Sequence, residues 1–99
     1  MDFVITVQYM ENYNCDTPGE GKDYFKFKGD INYRVTAYRI QDAVIEVLNH
    51  CQSTDNEMCK TFPISWSTYE EWVGQLPEDP EYRDFKLECL RTLENELGR

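Results

Sequence analysis

The residues of this 99-residue sequence that could do chemistry are, first of all, carboxylates clustered around a predicted break between two helices. A capping box of Ser67 and Glu70 predicts the start of one helix, Pro77 ends it, and Asp79-Pro80 starts the next. Such carboxylates either solvate the helix ends or steer a basic partner, with nearby aromatic side chains as anchors. We predict these partner-binding residues: Glu70, Glu71, Trp72, Glu78, Asp79, Glu81, Tyr82 and Asp84.

A second group of residues could bind a small molecule instead. Tyrosines near the predicted strand ends could stack on a base, and the cations grouped in residues 22–39 could hold a phosphate. The alternative hypothesis is therefore a nucleotide or small-molecule sequestering module in the sheet and its long loop. Its predicted ligand-binding residues are Tyr9, Tyr13, Tyr24, Lys26 and Arg34.

The polar loop over residues 12–23 has oxygen-bearing side chains at a spacing similar to that of a calcium loop. The match fails because Thr17 stands where the sharp turn needs glycine and Asp23 where a bidentate glutamate is needed. We therefore expect a solvated loop and no metal there.

The cysteines and the single histidine give no recognisable zinc or catalytic spacing. His50 and Cys51 are adjacent and would point about 100° apart on a helix. Cys15 and Cys59 lack a partner at zinc spacing, while Cys51 and Cys89 lie on predicted core stripes. We predict reduced structural thiols, with no catalytic residue, no metal and no cofactor, because neither a nucleophilic triad nor a phosphate-binding glycine loop is present.

The charge balance favours some classes of binding partner over others. The chain has 10 basic and 19 acidic residues, a net charge of −9, and residues 51–99 carry most of the excess. A field of this sign repels nucleic acid and anionic lipid and attracts basic protein surfaces. The sequence lacks a basic signal-peptide start and a membrane-length apolar run, so we expect a cytoplasmic protein. A domain this small would also gain buried surface as a homodimer.

The elements that position these residues follow from hydrophobic periodicity. Alternation predicts strands, and Gly29-Asp30 predicts a tight hairpin turn. The order predicts a single α+β domain over residues 1–99. A small three-stranded antiparallel sheet (residues 2–9, 24–28 and 31–37) is covered by helices (residues 41–52, 68–76 and 80–97). Residues 61–64 are expected to be extended. The last helix should bury an apolar stripe of Tyr82, Phe85, Cys89, Leu90, Leu93 and Leu97.

The segments VQYMENY (residues 7–13) and YFKFKG (residues 24–29), with a Gly-rich acidic loop between them, resemble small accessory proteins of tailed bacteriophages. The resemblance spans residues 3–38 and supplies no activity or site residues. It implies a small, acidic, phage-encoded accessory protein that acts in the bacterial cytoplasm, where many such proteins bind and redirect or inhibit a host factor. The leading hypothesis is thus a small acidic, non-enzymatic protein that engages a host defence or nucleic-acid-handling protein.

Overall fold

A computed structural model of the chain describes residues 1–12, 25–56 and 58–98. The predicted long loop, with Tyr13 and Tyr24, lies outside the described residues. The described residues form four strands and four helices. The strands are β1 (Asp2–Asn12), β2 (Phe25–Thr36), β3 (Cys59–Thr68) and β4 (Arg91–Thr92). The helices are α1 (Ile40–Thr54), α2 (Tyr69–Gly74), α3 (Pro80–Cys89) and α4 (Leu93–Glu96).

The predicted α+β class is confirmed, but the sheet has four strands in the order β3-β1-β2-β4. The long strand β1 is central and pairs antiparallel with both β2 and β3. β4 pairs parallel to β2 through Arg91 opposite Tyr33 and Thr92 opposite Arg34. The sheet is therefore mixed, and the prediction of three antiparallel strands is wrong in strand number and in pairing.

The predicted hairpin at Gly29-Asp30 is absent, because β2 runs unbroken through both residues. Gly29 pairs with Tyr9 and Asp30 with Gln8, and the register shifts between Tyr9 and Met10. A glycine without a side chain suits such an irregularity as well as it suits a turn. Since β1 offers a partner along nearly all of β2, the long ladder prevails over the local turn.

The third long strand, β3, is the main element that the sequence pattern did not predict in full. The extended residues 61–64 are confirmed, but the strand continues in both directions and includes Pro63, which pairs with Val7. Proline is tolerated because β3 is at the sheet edge. The path β2-α1-β3 connects two strands that both run antiparallel to β1, so α1 crosses over the sheet.

The predicted helix over residues 80–97 ends at Cys89. Leu90 takes an extended conformation, β4 joins the sheet, and α4 begins at Leu93. Leu93 is only 1% exposed and packs in the core under α1. A straight continuation of α3 would not place Leu93 in that core. The pairing of β4 and the burial of Leu93 therefore stabilise the fold more than continued helical hydrogen bonds would.

Each face of the sheet has its own core. On the α1 face, strand residues such as Ile5 and Val35 pack against Ala43, Val47 and Cys51, which confirms the predicted core position of Cys51. On the opposite α2 face the buried residues are Val4, Trp72 and Leu76, and Tyr69, Val73, Leu87 and Leu90 pack against them. Within the described residues no helix combines the length and apolarity needed to cross a membrane.

Candidate partner-binding surface

Side-chain caps fix where α2 and α3 begin. The Thr68 hydroxyl accepts a hydrogen bond from the Glu71 amide at 3.1 Å, and the Asp79 carboxylate accepts one from the Glu81 amide at 3.1 Å. The predicted capping residue Ser67 is therefore wrong by one position, whereas the predicted cap at Asp79 is confirmed. Each cap satisfies an amide that the helix itself leaves unpaired.

Residues 69–90 form the most acidic part of the described chain. They contain seven carboxylates and two cations, and so carry −5 of the net charge of −9. All seven carboxylate side chains are exposed. None of them forms an ion pair with another described residue. We call them the acidic surface: Glu70, Glu71, Glu78, Asp79, Glu81, Asp84 and Glu88.

The predicted apolar stripe of Tyr82, Phe85 and Cys89 lies beside these carboxylates on α3. We call its two rings, Tyr82 and Phe85, the aromatic stripe. Tyr82 is 47% exposed and Phe85 is 57% exposed. Their rings stack with centroids 6.4 Å apart and 14° between the planes. The Lys86 ammonium lies 5.7 Å from the Tyr82 ring centroid. The predicted burial of this stripe is wrong, and α3 has no buried residue at all.

The orientation of α3 explains this exposure. Leu87 packs against the core of Val4, Trp72 and Leu76. On a helix, Leu87 lies about 140° around the axis from Tyr82, so the packing of Leu87 turns Tyr82 and Phe85 away from that core.

The carboxylates of α3 lie on one flank of the stripe. Glu81 and Glu88 lie about 100–120° around the axis from Tyr82, on the side toward Phe85. The result is an apolar aromatic strip with an acidic border. Phe85 and Glu88 were not among the predicted partner-binding residues, because a core role was expected for Phe85.

Trp72 differs from the other predicted partner-binding residues. It is only 9% exposed and belongs to the core on the α2 face. Its ring stacks on Tyr69 at 6.4 Å. Trp72 therefore supports the surface from beneath, while the six predicted carboxylates and Tyr82 are accessible.

The residues predicted for the alternative ligand site do not converge in the described structure. Tyr9 lies on the α1 face, where its hydroxyl donates to Glu11 at 3.2 Å and lies 3.1 Å from the Cys59 sulfur. The hydrogen bond with Cys59 and partial burial raise the pKa of Tyr9 above its ordinary value. Lys26 is exposed, and Tyr13 and Tyr24 lie outside the described residues.

Arg34 lies on the opposite, α2 face and is already engaged. Its guanidinium donates to the Asp2 carboxylate at 2.9 Å and lies 4.0 Å from the centroid of the Tyr69 ring. The Thr36 hydroxyl also donates to Asp2, at 2.7 Å. The Thr36 hydroxyl and the Arg34 guanidinium together hold the pKa of the Asp2 carboxyl below its ordinary value. Arg34 thus ties the start of β1 to β2 and to α2.

The cysteines do not form a metal centre among the described residues. Cys51 is 2% exposed, as predicted, and burial raises the pKa of its thiol. Cys89 is exposed, so its predicted core role is wrong. His50 packs edge-on against Tyr33, with ring centroids 5.5 Å apart. In the described ranges no three His, Cys, Asp or Glu side chains are grouped to hold an ion. The calcium-like spacing falls on residues 12–23, whose side chains lie outside the description.

No family model, curated protein or solved structure matches this chain. The acidic surface and the aromatic stripe are therefore the features of the described residues that bear on function.

Proposed function

We propose that this protein is a non-enzymatic binding protein that docks on a basic surface of another protein through α3. The observation that carries the proposal is the stacked, solvent-facing pair of Tyr82 and Phe85 next to carboxylates that form no ion pair with other described residues. Aromatic anchors beside charged groups are typical of surfaces that bind proteins.

The two parts of this surface have different roles. Complete burial of an aromatic side chain contributes about 1.5–3 kcal/mol, so Tyr82 and Phe85 supply affinity when a partner covers them. The carboxylates are already hydrated, so they gain little net energy on pairing. They speed and orient the encounter with a positively charged partner instead.

The proposed partner is a bacterial host protein that handles nucleic acid or acts in defence, with the present protein encoded by a phage and acting in the host cytoplasm. Proteins that bind nucleic acid carry the basic patches that this surface complements. Mimicry of a nucleic acid is a weaker version of the idea, because Arg83 and Lys86 interrupt the carboxylates of α3. Direct docking on the aromatic stripe needs no phosphate-like spacing.

Charge neutralisation on α3 tests the proposal. The variant Glu81→Gln/Asp84→Asn/Glu88→Gln leaves the Asp79 cap intact and changes the net charge to −6. The matched control Gln41→Lys/Asn49→Lys/Gln52→Lys gives the same net charge on the exposed side of α1. Each tagged protein is used to capture partners from bacterial lysate at low and at high salt, with quantitative mass spectrometry.

The expected result is one stoichiometric protein that is retained by the wild type and the control, reduced with the α3 variant, and reduced by high salt. Equal retention by all three proteins would show that the position of the charge is irrelevant. A capture that contains no stoichiometric protein would also contradict the proposal.

A further inference from the structure

A groove of about 620 Å³ lies between the α2 face of the sheet and α3. Its floor is a row of side chains from three adjacent strands: Ser65 of β3, Thr6 of β1 and Asn32 of β2. Thr6 pairs directly with the other two residues, so all three project from the same face. Tyr82 and Lys86 of α3 also line the groove, but the floor residues are not part of the acidic surface.

The groove stays open because α2 is short. Val4, in the neighbouring row of β1, is covered by Trp72 and Leu76. A six-residue helix is only about 9 Å long, so it cannot also cover the row that contains Thr6. Polar residues stand in that uncovered row, where an apolar residue would be left in water.

The floor offers hydrogen bonds without charge. The Thr6 hydroxyl donates to the side-chain Oδ1 of Asn32 at 2.6 Å, which leaves both side-chain amide hydrogens of Asn32 uncommitted among the described residues. The hydroxyls of Ser65 and Ser67 have no hydrogen-bond partner among the described residues. Several donors and acceptors therefore face the groove from short, neutral side chains.

The walls add aromatic surface and a few charged groups. Tyr82 and Trp66 are 47% and 52% exposed and line the groove, with the Lys86 ammonium beside Tyr82. Asp30 and Glu71 also line it, and both side chains are exposed. A carboxylate accepts hydrogen bonds from two donors at once, and an aromatic face packs on C–H groups.

We propose that this groove binds a neutral saccharide. The hydroxyl groups of a sugar ring match the uncharged floor and the two carboxylates, and its C–H face matches Tyr82. A phosphorylated ligand is disfavoured by the net charge of −9. A purely aliphatic ligand is disfavoured because it would cover the polar floor and leave those groups unpaired.

The test is a titration of the ¹⁵N-labelled protein with four disaccharides: maltose, cellobiose, lactose and N,N′-diacetylchitobiose. Each is added to about 10 mM, which is ten times a millimolar dissociation constant. Binding is expected for at least one of them, with saturable shifts confined to Thr6, Asn32, Ser65 and the residues next to them. Adenosine is titrated in the same way as a neutral aromatic comparison.

Variants of the floor locate the binding. Asn32→Ala and the more exposed Ser65→Ala should each weaken sugar binding by about fivefold, the effect of losing one hydrogen bond. The control Gln41→Ala, on α1, should leave it unchanged. Absence of saturable shifts with all four sugars, binding of adenosine alone, or unchanged affinity in both floor variants would overturn the proposal. None of these outcomes bears on capture by α3, because both floor variants retain the acidic surface and the aromatic stripe.

Discussion

Tyr82 and Phe85 stack on each other in solvent, with ring planes only 14° apart, while Leu87 on the same helix packs toward the core. The arrangement divides α3 between two apolar sides, of which the sheet covers one. Exposed apolar patches favour aggregation, and on monomeric proteins the large ones mark interaction sites. This relationship supports the proposed binding role of α3.

Leu93 and Leu97 should differ sharply in their effect on stability, although both belong to the stripe predicted for a single long helix. Leu93 is 1% exposed and Leu97 is 39% exposed. We expect Leu93→Ala to lower the free energy of unfolding by about 2–4 kcal/mol, through lost burial and a cavity. Leu97→Ala should lower it by less than about 1 kcal/mol. Urea denaturation followed by tryptophan fluorescence measures both, and equal losses would show that α4 is not seated as described.

The hydrogen bonds of Asp2 should make stability depend on pH in a defined direction. Its pKa in the folded protein is below the ordinary 3.8, so the ionised carboxylate stabilises the fold. That contribution is fully present above pH 3.8 and is lost as the pH falls through the lowered pKa. We expect Asp2→Asn to lower the free energy of unfolding by roughly 1 kcal/mol at pH 7, a value reduced for partial exposure.

The difference between Asp2→Asn and the wild type should shrink as the pH falls below 3.8. Urea denaturation of both proteins at pH 7 and at decreasing acidic pH measures it. A difference that stays constant over that range would exclude the carboxylate charge as its source.

The thiols of Cys89 and Cys51 should differ in their rate of alkylation, because they differ in accessibility. Cys89 is exposed, whereas Cys51 is buried and has a raised pKa. Since the thiolate is the reactive form, iodoacetamide should alkylate Cys89 rapidly in the native protein and Cys51 only after unfolding. Peptide mass spectrometry over time gives the two rates. Equal native rates would contradict the packing of α1 on the sheet.

Hydrophobic periodicity identified several elements correctly, for reasons that are local. β1 alternates over residues 3–9, and α1 repeats Ala43, Val47 and Cys51 at helical spacing, so each presents one apolar side to the same core. The cap at Asp79 likewise depends only on neighbouring residues. Such features are encoded within a few residues of sequence.

The wrong predictions concern residues whose conformation depends on contacts with distant parts of the chain. Gly29-Asp30 suits a turn, but pairing with β1 keeps both residues in a strand. Residues 80–97 have helical spacing, but β4 pairs with β2 and divides them. The spacing of Tyr82 and Phe85 shows that they share one side of a helix, yet it does not say whether that side faces the core. Six of the seven accessible carboxylates and Tyr82 were therefore predicted, whereas Glu88 and Phe85 were missed.

The most direct test of the binding role is the affinity of the captured partner for the double variant Tyr82→Ala/Phe85→Ala. Its free energy of unfolding should change by less than about 1 kcal/mol, because both side chains already face solvent. Tyr38→Ala is the control, because Tyr38 is 98% exposed and lies outside α3.

Isothermal titration calorimetry with the purified partner should show affinity reduced at least about 30-fold for the double variant, equivalent to 2 kcal/mol, and unchanged for the control. Equal affinities of the wild type and the folded double variant would contradict the role of α3.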